Sequence, residues 1–320
     1  MPREAVLLHP SKATSDENYP GLEDSQAFKG YFDREGFIVV RNAVPSVLCE
    51  AAKRAFLTEV LPDKSNLFLR HESGTYERHV LTEAGFMKYP IMNIQDISDK
   101  KYESFKKSGL ELLTHSTVQR AVENVFGEPG RLIHTMYFDG NQTTWAHRDG
   151  HYIDSQPSGK MIGIWVAVED IKPGAGRFYI IPRSHQTPVP GELDNPNGAA
   201  YKTRMAEFVR NGPLDCVSPI LNQGDMLIWT SRTIHGSLPT LDPQFPRRSF
   251  TAHYIPESCQ FRWGDGEASR KSIIVNGVAV TLHGAQSAFS QRVKNLLRTR
   301  YPSLYSMARN VKRRSVQPKN

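Results

Sequence analysis

Apolar positions along the chain follow two periods. Recurrence every three or four residues marks helices. Leu48, Ala52, Phe56 and Val60 form one such face, in a helix opened by Pro45 and Ser46 and stopped by Pro62. A second helix is expected over 102–113. A third covers 118–126, where Val118, Ala121, Val122, Val125 and Phe126 share a side and Gly127 ends the run. Short apolar stretches between Pro, Gly and Asn clusters read as strands: 36–40, 132–138, 162–168, 177–181, 225–229 and 250–255. A short helix is expected near 199–210. Many short strands point to a sandwich or barrel, and helices gathered ahead of them point to a layer packed on one face. The predicted class is mainly β with packed helices (α+β).

Three stretches fall outside these patterns. Residues 1–25 are polar and turn-rich, a flexible arm. Residues 63–97 have no clear period and mix aromatics with Arg70, His71, Arg78, His79 and Lys88. Such a stretch is a functional loop or an ordinary surface loop; we read it as a lid. Residues 186–213 interrupt the strand series as an insertion. From 288 onward, Val293, Leu296, Leu297, Leu304, Tyr305 and Ala308 make an apolar stripe among Arg and Lys, broken at Pro302. The expected organisation is an arm (1–25), one domain (26–287) and a basic amphipathic tail (288–320).

Charge sharpens this division. The net charge is +7, yet ten of the 40 basic residues and none of the 33 acidic ones fall in 271–320. The remainder carries 30 basic against 33 acidic residues, so the basic character belongs to the tail. A nucleic-acid-binding fold needs basic residues on its own face, and none is expected here. A basic amphipathic helix can lie on an anionic membrane surface or dock on its own domain. No apolar run is long enough to cross a bilayer, and the N-terminus lacks a basic-then-apolar leader. Cys49, Cys216 and Cys259 are far apart and odd in number, which fits a reducing, cytoplasmic setting better than a disulfide framework.

The candidate chemistry sits in Trp145-Ala146-His147-Arg148-Asp149-Gly150. His147 and Asp149 are two apart after an apolar run, and on a strand such residues share a face. His235, after the Gly224-Asp225 turn, supplies a third ligand. Two histidines and one carboxylate form the facial triad of non-haem Fe(II) oxygenases, which leaves positions open for cosubstrate and O2. A His-x-Asp alone is common by chance; the ordered set with a following arginine gives it weight. His151, four after His147, imitates a helical zinc pair, but no Glu follows His147 and the segment reads as strand and turn. His134 and His253 lie in apolar strands and read as satisfied core histidines.

In order, these pieces resemble the phytanoyl-CoA dioxygenase family of Fe(II)/2-oxoglutarate oxygenases. The resemblance runs from about residue 32 to about 256. Its pieces are 33–40, His134-Thr135-Met136, His147-Arg148-Asp149, Trp165 with Ala167, Gly176 with 181–185, Gly224-Asp225, His235-Gly236-Ser237 and Pro246-Arg247-Arg248-Ser249. The fold it implies is a double-stranded β-helix, a jelly-roll or cupin-like barrel with N-terminal helices on one face. The ligands it implies are His147, Asp149 and His235 for iron. Arg247 would pair with the distal carboxylate of 2-oxoglutarate, with Ser249 bonding the same group and Met136 and Trp165 lining its pocket. Arg248 is the rival for that carboxylate; Arg247 keeps the strand alternation with Ser249, Thr251 and His253. Trp145, Tyr152 and Tyr137 are candidate substrate contacts, with plain packing as the alternative.

The implied activity is hydroxylation of an unactivated C–H in a small-molecule or lipid-linked substrate. Fe(II), 2-oxoglutarate and O2 would be consumed or required, succinate and CO2 released, and ascorbate would help in vitro. Asp149 occupies the place that related halogenases give to a small residue, which favours hydroxylation. A desaturase, epimerase or cyclase on the same fold is a second reading, and a non-catalytic jelly-roll binding protein a third.

Overall fold

The helix Ser25–Glu35 is fixed at both ends by its own sequence. Asp24 accepts from the amide of Ala27 at 2.9 Å, and Gly36 (φ 79°) donates its amide to Phe32 O. A left-handed residue is least costly as glycine, so the chain turns at once into the strand Phe37–Val40. This is a computed structural model; it describes residues 18–64, 68–69, 76–141, 144–188, 198–263, 266–267 and 270–284, with 13–14 and positions 293, 301 and 303. Most of the expected arm, Arg70 and His71 of the expected lid, the middle of the expected insertion and nearly all of the tail lie outside the described residues.

Two sheets face each other as a double-stranded β-helix. The larger runs Ser272–Val275, Val278–Thr281, Gly130–Phe138, Ser249–Pro256, Ile162–Ala167, Met226–Thr230 and Phe37–Val40, with Ile91–Met92 also paired to Gly130–Phe138. The smaller runs Ala13–Thr14, Cys216–Val217, Phe178–Ile180 and His235–Ser237. Side chains alternate across the larger sheet. Ile38, Val40, Ile164, Val166, Met226, Ile228, Ala252 and Tyr254 face a helical layer contributed by Ser25–Glu35, Ser46–Ala55, Glu103–Leu113 and Ser116–Phe126. Phe37, Val39, Trp165, Ala167, Leu227 and Trp229 face the smaller sheet. Both sides of these strands are therefore covered, which explains why Phe37–Val40 is apolar at every position.

Three local features depart from the sequence reading. The helix from Ser46 holds α geometry only to Ala55, then widens into a π turn over Phe56–Val60. In the α part Cys49 rather than Leu48 is fully buried, on one face with Ala52, Phe56 and Val60. Residues 76–97 are no simple loop: Met87, Ile91, Ile94 and Ile97 are buried. Ser272–Val275 and Val278–Thr281 form a hairpin around Asn276 (φ 48°) and Gly277 (φ 83°), a turn that Asn-Gly favours. No helix among the described residues is long and apolar enough to cross a membrane, and all three cysteines are buried and free.

Phe250 is fully buried between the larger sheet and the helices, 4.8 Å from the Tyr137 ring, whereas Ile274 is 70% exposed on the outer strand. Phe250→Ala is expected to cost about 3–5 kcal/mol and Ile274→Ala less than about 0.5 kcal/mol, as read by denaturant unfolding.

Candidate metal centre

His147 does not lie on a strand with Asp149, contrary to the sequence expectation. It forms an isolated antiparallel bridge with His235, with N–H···O distances of 3.0 and 3.1 Å in the two directions. The chain then turns, and Asp149 opens the 3-10 turn Asp149–His151. Gly150 anchors that turn through its amide to Ser231 O at 2.9 Å. The turn, rather than strand alternation, brings the carboxylate beside the two imidazoles.

The resulting geometry suits one ion. His147 Nε2 and His235 Nε2 stand 3.4 and 3.5 Å from Asp149 Oδ1. Ligand atoms of the three residues all lie within 4.8 Å of one another. Nitrogen and oxygen ligands sit about 2.0–2.2 Å from such ions, so neighbouring ligands are roughly 3 Å apart. Both histidines are held in the tautomer that binding needs. His147 Nδ1 meets Trp145 O at 2.9 Å, and His235 Nδ1 meets Thr233 O at 3.0 Å. A carbonyl only accepts, so each Nδ1 carries the hydrogen and each Nε2 offers its lone pair. Asp149 Oδ2 accepts from Trp229 Nε1 at 2.8 Å and faces His253 Nε2 at 3.2 Å. Burial pushes the Asp149 carboxyl up; when the surrounding imidazoles are protonated, the charges of His235 and His253 and the bonds then made by His147 and His235 hold it well below the usual range.

The cavity beside these residues also receives Arg247. The residue is 2% exposed; its guanidinium donates to Gly176 O at 3.0 Å and lies 5.7 and 5.8 Å from the Phe138 and Trp165 rings. No ion pair to a carboxylate is formed by Arg247 among the described residues. Burial pushes its pKa down to about 10. A buried cation beside a potential metal site is fitted to an anionic ligand with two anchoring ends, one on the ion and one on the guanidinium.

Comparison with known proteins agrees with that chemistry. The profile of the family described as phytanoyl-CoA dioxygenase (PhyH) matches residues 32–249, more than half the chain. The chain belongs to the phytanoyl-CoA dioxygenase family. It is a non-haem Fe(II)/2-oxoglutarate-dependent oxygenase. A Bos taurus protein named phytanoyl-CoA dioxygenase domain-containing protein 1 is 25% identical over 268 residues, 73% of this chain and 90% of its own length. The Homo sapiens peroxisomal phytanoyl-CoA dioxygenase is 23% identical over 302 residues, 89% of this chain and 83% of its own. Among solved structures, EctD from S. alaskensis with 2-oxoglutarate and 5-hydroxyectoine has a TM-score of 0.57 at 17% identity, covering 88% of this chain and 94% of that one. The epimerase SnoN with Fe3+, alpha ketoglutarate and nogalamycin RO has a TM-score of 0.55 at 18% identity, covering 82% and 97%. At these identities the solved structures speak to the fold.

The other predicted site residues of this oxygenase divide between the cavity and its surroundings. Met136, Trp165 and Trp145 line the cavity, and Lys202 Nζ sits 3.7 Å over the Trp145 ring. Arg248 points away from it, paired with Asp139 at 2.9 Å and Glu169 at 3.0 Å. Ser249 turns its hydroxyl to Arg247 O at 3.3 Å and does not line the cavity; Ser237, two residues past His235, does. Tyr152 sits edge-on to His147 at 6.1 Å, behind the cavity wall. Tyr137 is a correction. It faces the helices, 4.5 Å from the Phe56 ring, because it is one residue out of phase with Met136. Sequence reading missed Phe178, Trp229, Ser237 and Thr251 on the wall, and took His253 for core packing. The parity signal for the last was present: Arg247, Thr251 and His253 share one face.

The two arginines are expected to behave oppositely in the absence of cosubstrate. Arg248→Met leaves Asp139 and Glu169 uncompensated and is expected to lower unfolding free energy by about 3–5 kcal/mol. Arg247→Met removes a buried charge that has no counter-ion among the described residues and is expected to leave stability equal or higher. Denaturant unfolding of the two variants measures the contrast.

Proposed function

We propose that this oxygenase hydroxylates an unactivated C–H bond of a small-molecule or lipid-linked substrate. In this reading His147, Asp149 and His235 hold Fe(II), and Arg247 holds the distal carboxylate of 2-oxoglutarate. Met136 and Trp165 pack along the chain of that diacid. Bound iron and 2-oxoglutarate supply the oxidising power, by coupling O2 reduction to decarboxylation of the cosubstrate to succinate and CO2. The protein contributes orientation and a dry aromatic wall.

The carrying observation is the buried guanidinium of Arg247, without a carboxylate partner among the described residues, in the same cavity as the His-Asp-His cluster. A charge so placed is costly unless a ligand completes it. Ser237, on the wall beside Arg247, is a better partner for the diacid than Ser249, whose hydroxyl is turned to the backbone. Trp145, with Lys202 over its ring, is the substrate contact we favour. Pro90 on the wall supports a covering role for the 63–97 segment. Three free buried cysteines favour a cytoplasmic setting, and contact with membranes would fall to the basic tail at 288–320.

Anaerobic addition of 2-oxoglutarate to the Fe(II)-loaded protein is expected to raise a weak visible charge-transfer band, and O2 then to yield succinate. Absence of both would leave a non-catalytic binding protein. Arg247→Ala is expected to raise the 2-oxoglutarate requirement by at least tenfold while Fe(II) still binds; an unchanged requirement would remove Arg247 from this role. Product analysis with a turned-over substrate separates hydroxylation from epimerisation or ring closure, which proteins of this fold also perform.

A further inference from the structure

Four residues on four adjacent strands stand in one register row of the larger sheet. His134 pairs with His253, His253 with Gly163, and Gly163 with Trp229. The row ends at the metal cluster. Trp229 Nε1 and His253 Nε2 both meet Asp149 Oδ2, at 2.8 and 3.2 Å. His253 Nδ1 in turn stands 3.3 Å from His134 Nδ1. All three polar side chains are buried, at 1%, 3% and 4% exposure for Trp229, His253 and His134. Gly163 makes the arrangement possible, because a Cβ there would lie 2.3 Å from two carbons of the Trp229 indole.

We propose that this row holds Asp149 as a one-oxygen ligand and so sets the iron affinity and the open coordination position of the site. The inference rests on the reading of Asp149 as an iron ligand. A carboxylate free to rotate offers both oxygens to an ion. Here two buried donors occupy Oδ2, and only Oδ1 faces His147 and His235. The position that a second carboxylate oxygen would fill stays free for cosubstrate or O2. Proton placement follows from the same contacts. A carboxylate oxygen only accepts, so His253 Nε2 carries a hydrogen. In neutral His253 the Nδ1 is then an acceptor, and His134 Nδ1 must be the donor. His134 therefore acts through His253, as a positioning residue one step further out.

The test is Fe(II) affinity of the full-length protein under anaerobic titration, read beside thermal unfolding. His253→Phe keeps a ring and removes the donor; Trp229→Phe does the same on the other side. Each is expected to weaken Fe(II) binding 10–100-fold, and Gly163→Ala to weaken it likewise by displacing the indole. His253→Gln, which retains an N–H donor, is expected to recover at least half of that loss on a logarithmic scale. This variant also serves if the Phe variant fails to fold. His134→Phe is expected to cost less than His253→Phe and to add nothing to it. Affinities within twofold of wild type in both Phe variants overturn the proposal, as does a Gln variant no better than Phe. Asp149→Ala run in parallel is expected to abolish binding. Retained binding there would instead remove Asp149 from the metal site, and the proposal with it.

Discussion

The two backbone hydrogen bonds exchanged by His147 and His235 are the constraint on which the site depends. They join a segment without a strand of its own to the edge of the smaller sheet. Backbone pairing of this kind sets the Cα separation and the direction of both side chains at once. The His235 ring is then clamped by Phe178, parallel to it within 6° at 5.3 Å. Only after this pairing can the turn at Asp149 deliver its carboxylate. The metal cluster is therefore a property of the closed barrel, and neither half of the chain holds it alone.

What was legible in the sequence was the chemistry of residue types. A His-x-Asp, a later His and an arginine beyond it need little geometry to be recognised, because few other side chains can do their work. The strands were legible too, since both faces of the larger sheet are covered and their apolar runs are continuous. What failed was phase. Met136 and Tyr137 differ by one position, and the pleat sends one to the cavity and the other to the helices. The same parity separates Arg247 from Arg248, and Arg247 lines the cavity with Thr251 and His253 while Arg248 pairs with Asp139 and Glu169. His147 and Asp149 read as one strand because an apolar run precedes them; the turn that separates them is held by Ser231, far along the chain. The Asn276-Gly277 hairpin carried a strong local signal that the basic tail beside it obscured.

The paired arginines show how the fold divides stability from function. Arg248 closes a buried cluster with Asp139 and Glu169, and Asp139 also takes the Met87 amide at 2.7 Å, tying the 76–97 segment to the sheet. Arg247, its neighbour, is left charged and without a carboxylate among the described residues. One arginine holds the wall together and the other keeps a vacancy of charge inside it. A protein with such an uncompensated cation gains stability when a diacid arrives, by mass action on the folded state.

The aromatic wall has an optical consequence. The chain contains four tryptophans, and Trp145, Trp165 and Trp229 all border the cavity. Trp229 donates directly to the carboxylate that faces the metal position. Three of the four tryptophans therefore report on one cavity. A paramagnetic ion arriving there would quench most of the fluorescence, so the molecule carries its own gauge of occupancy without any added dye.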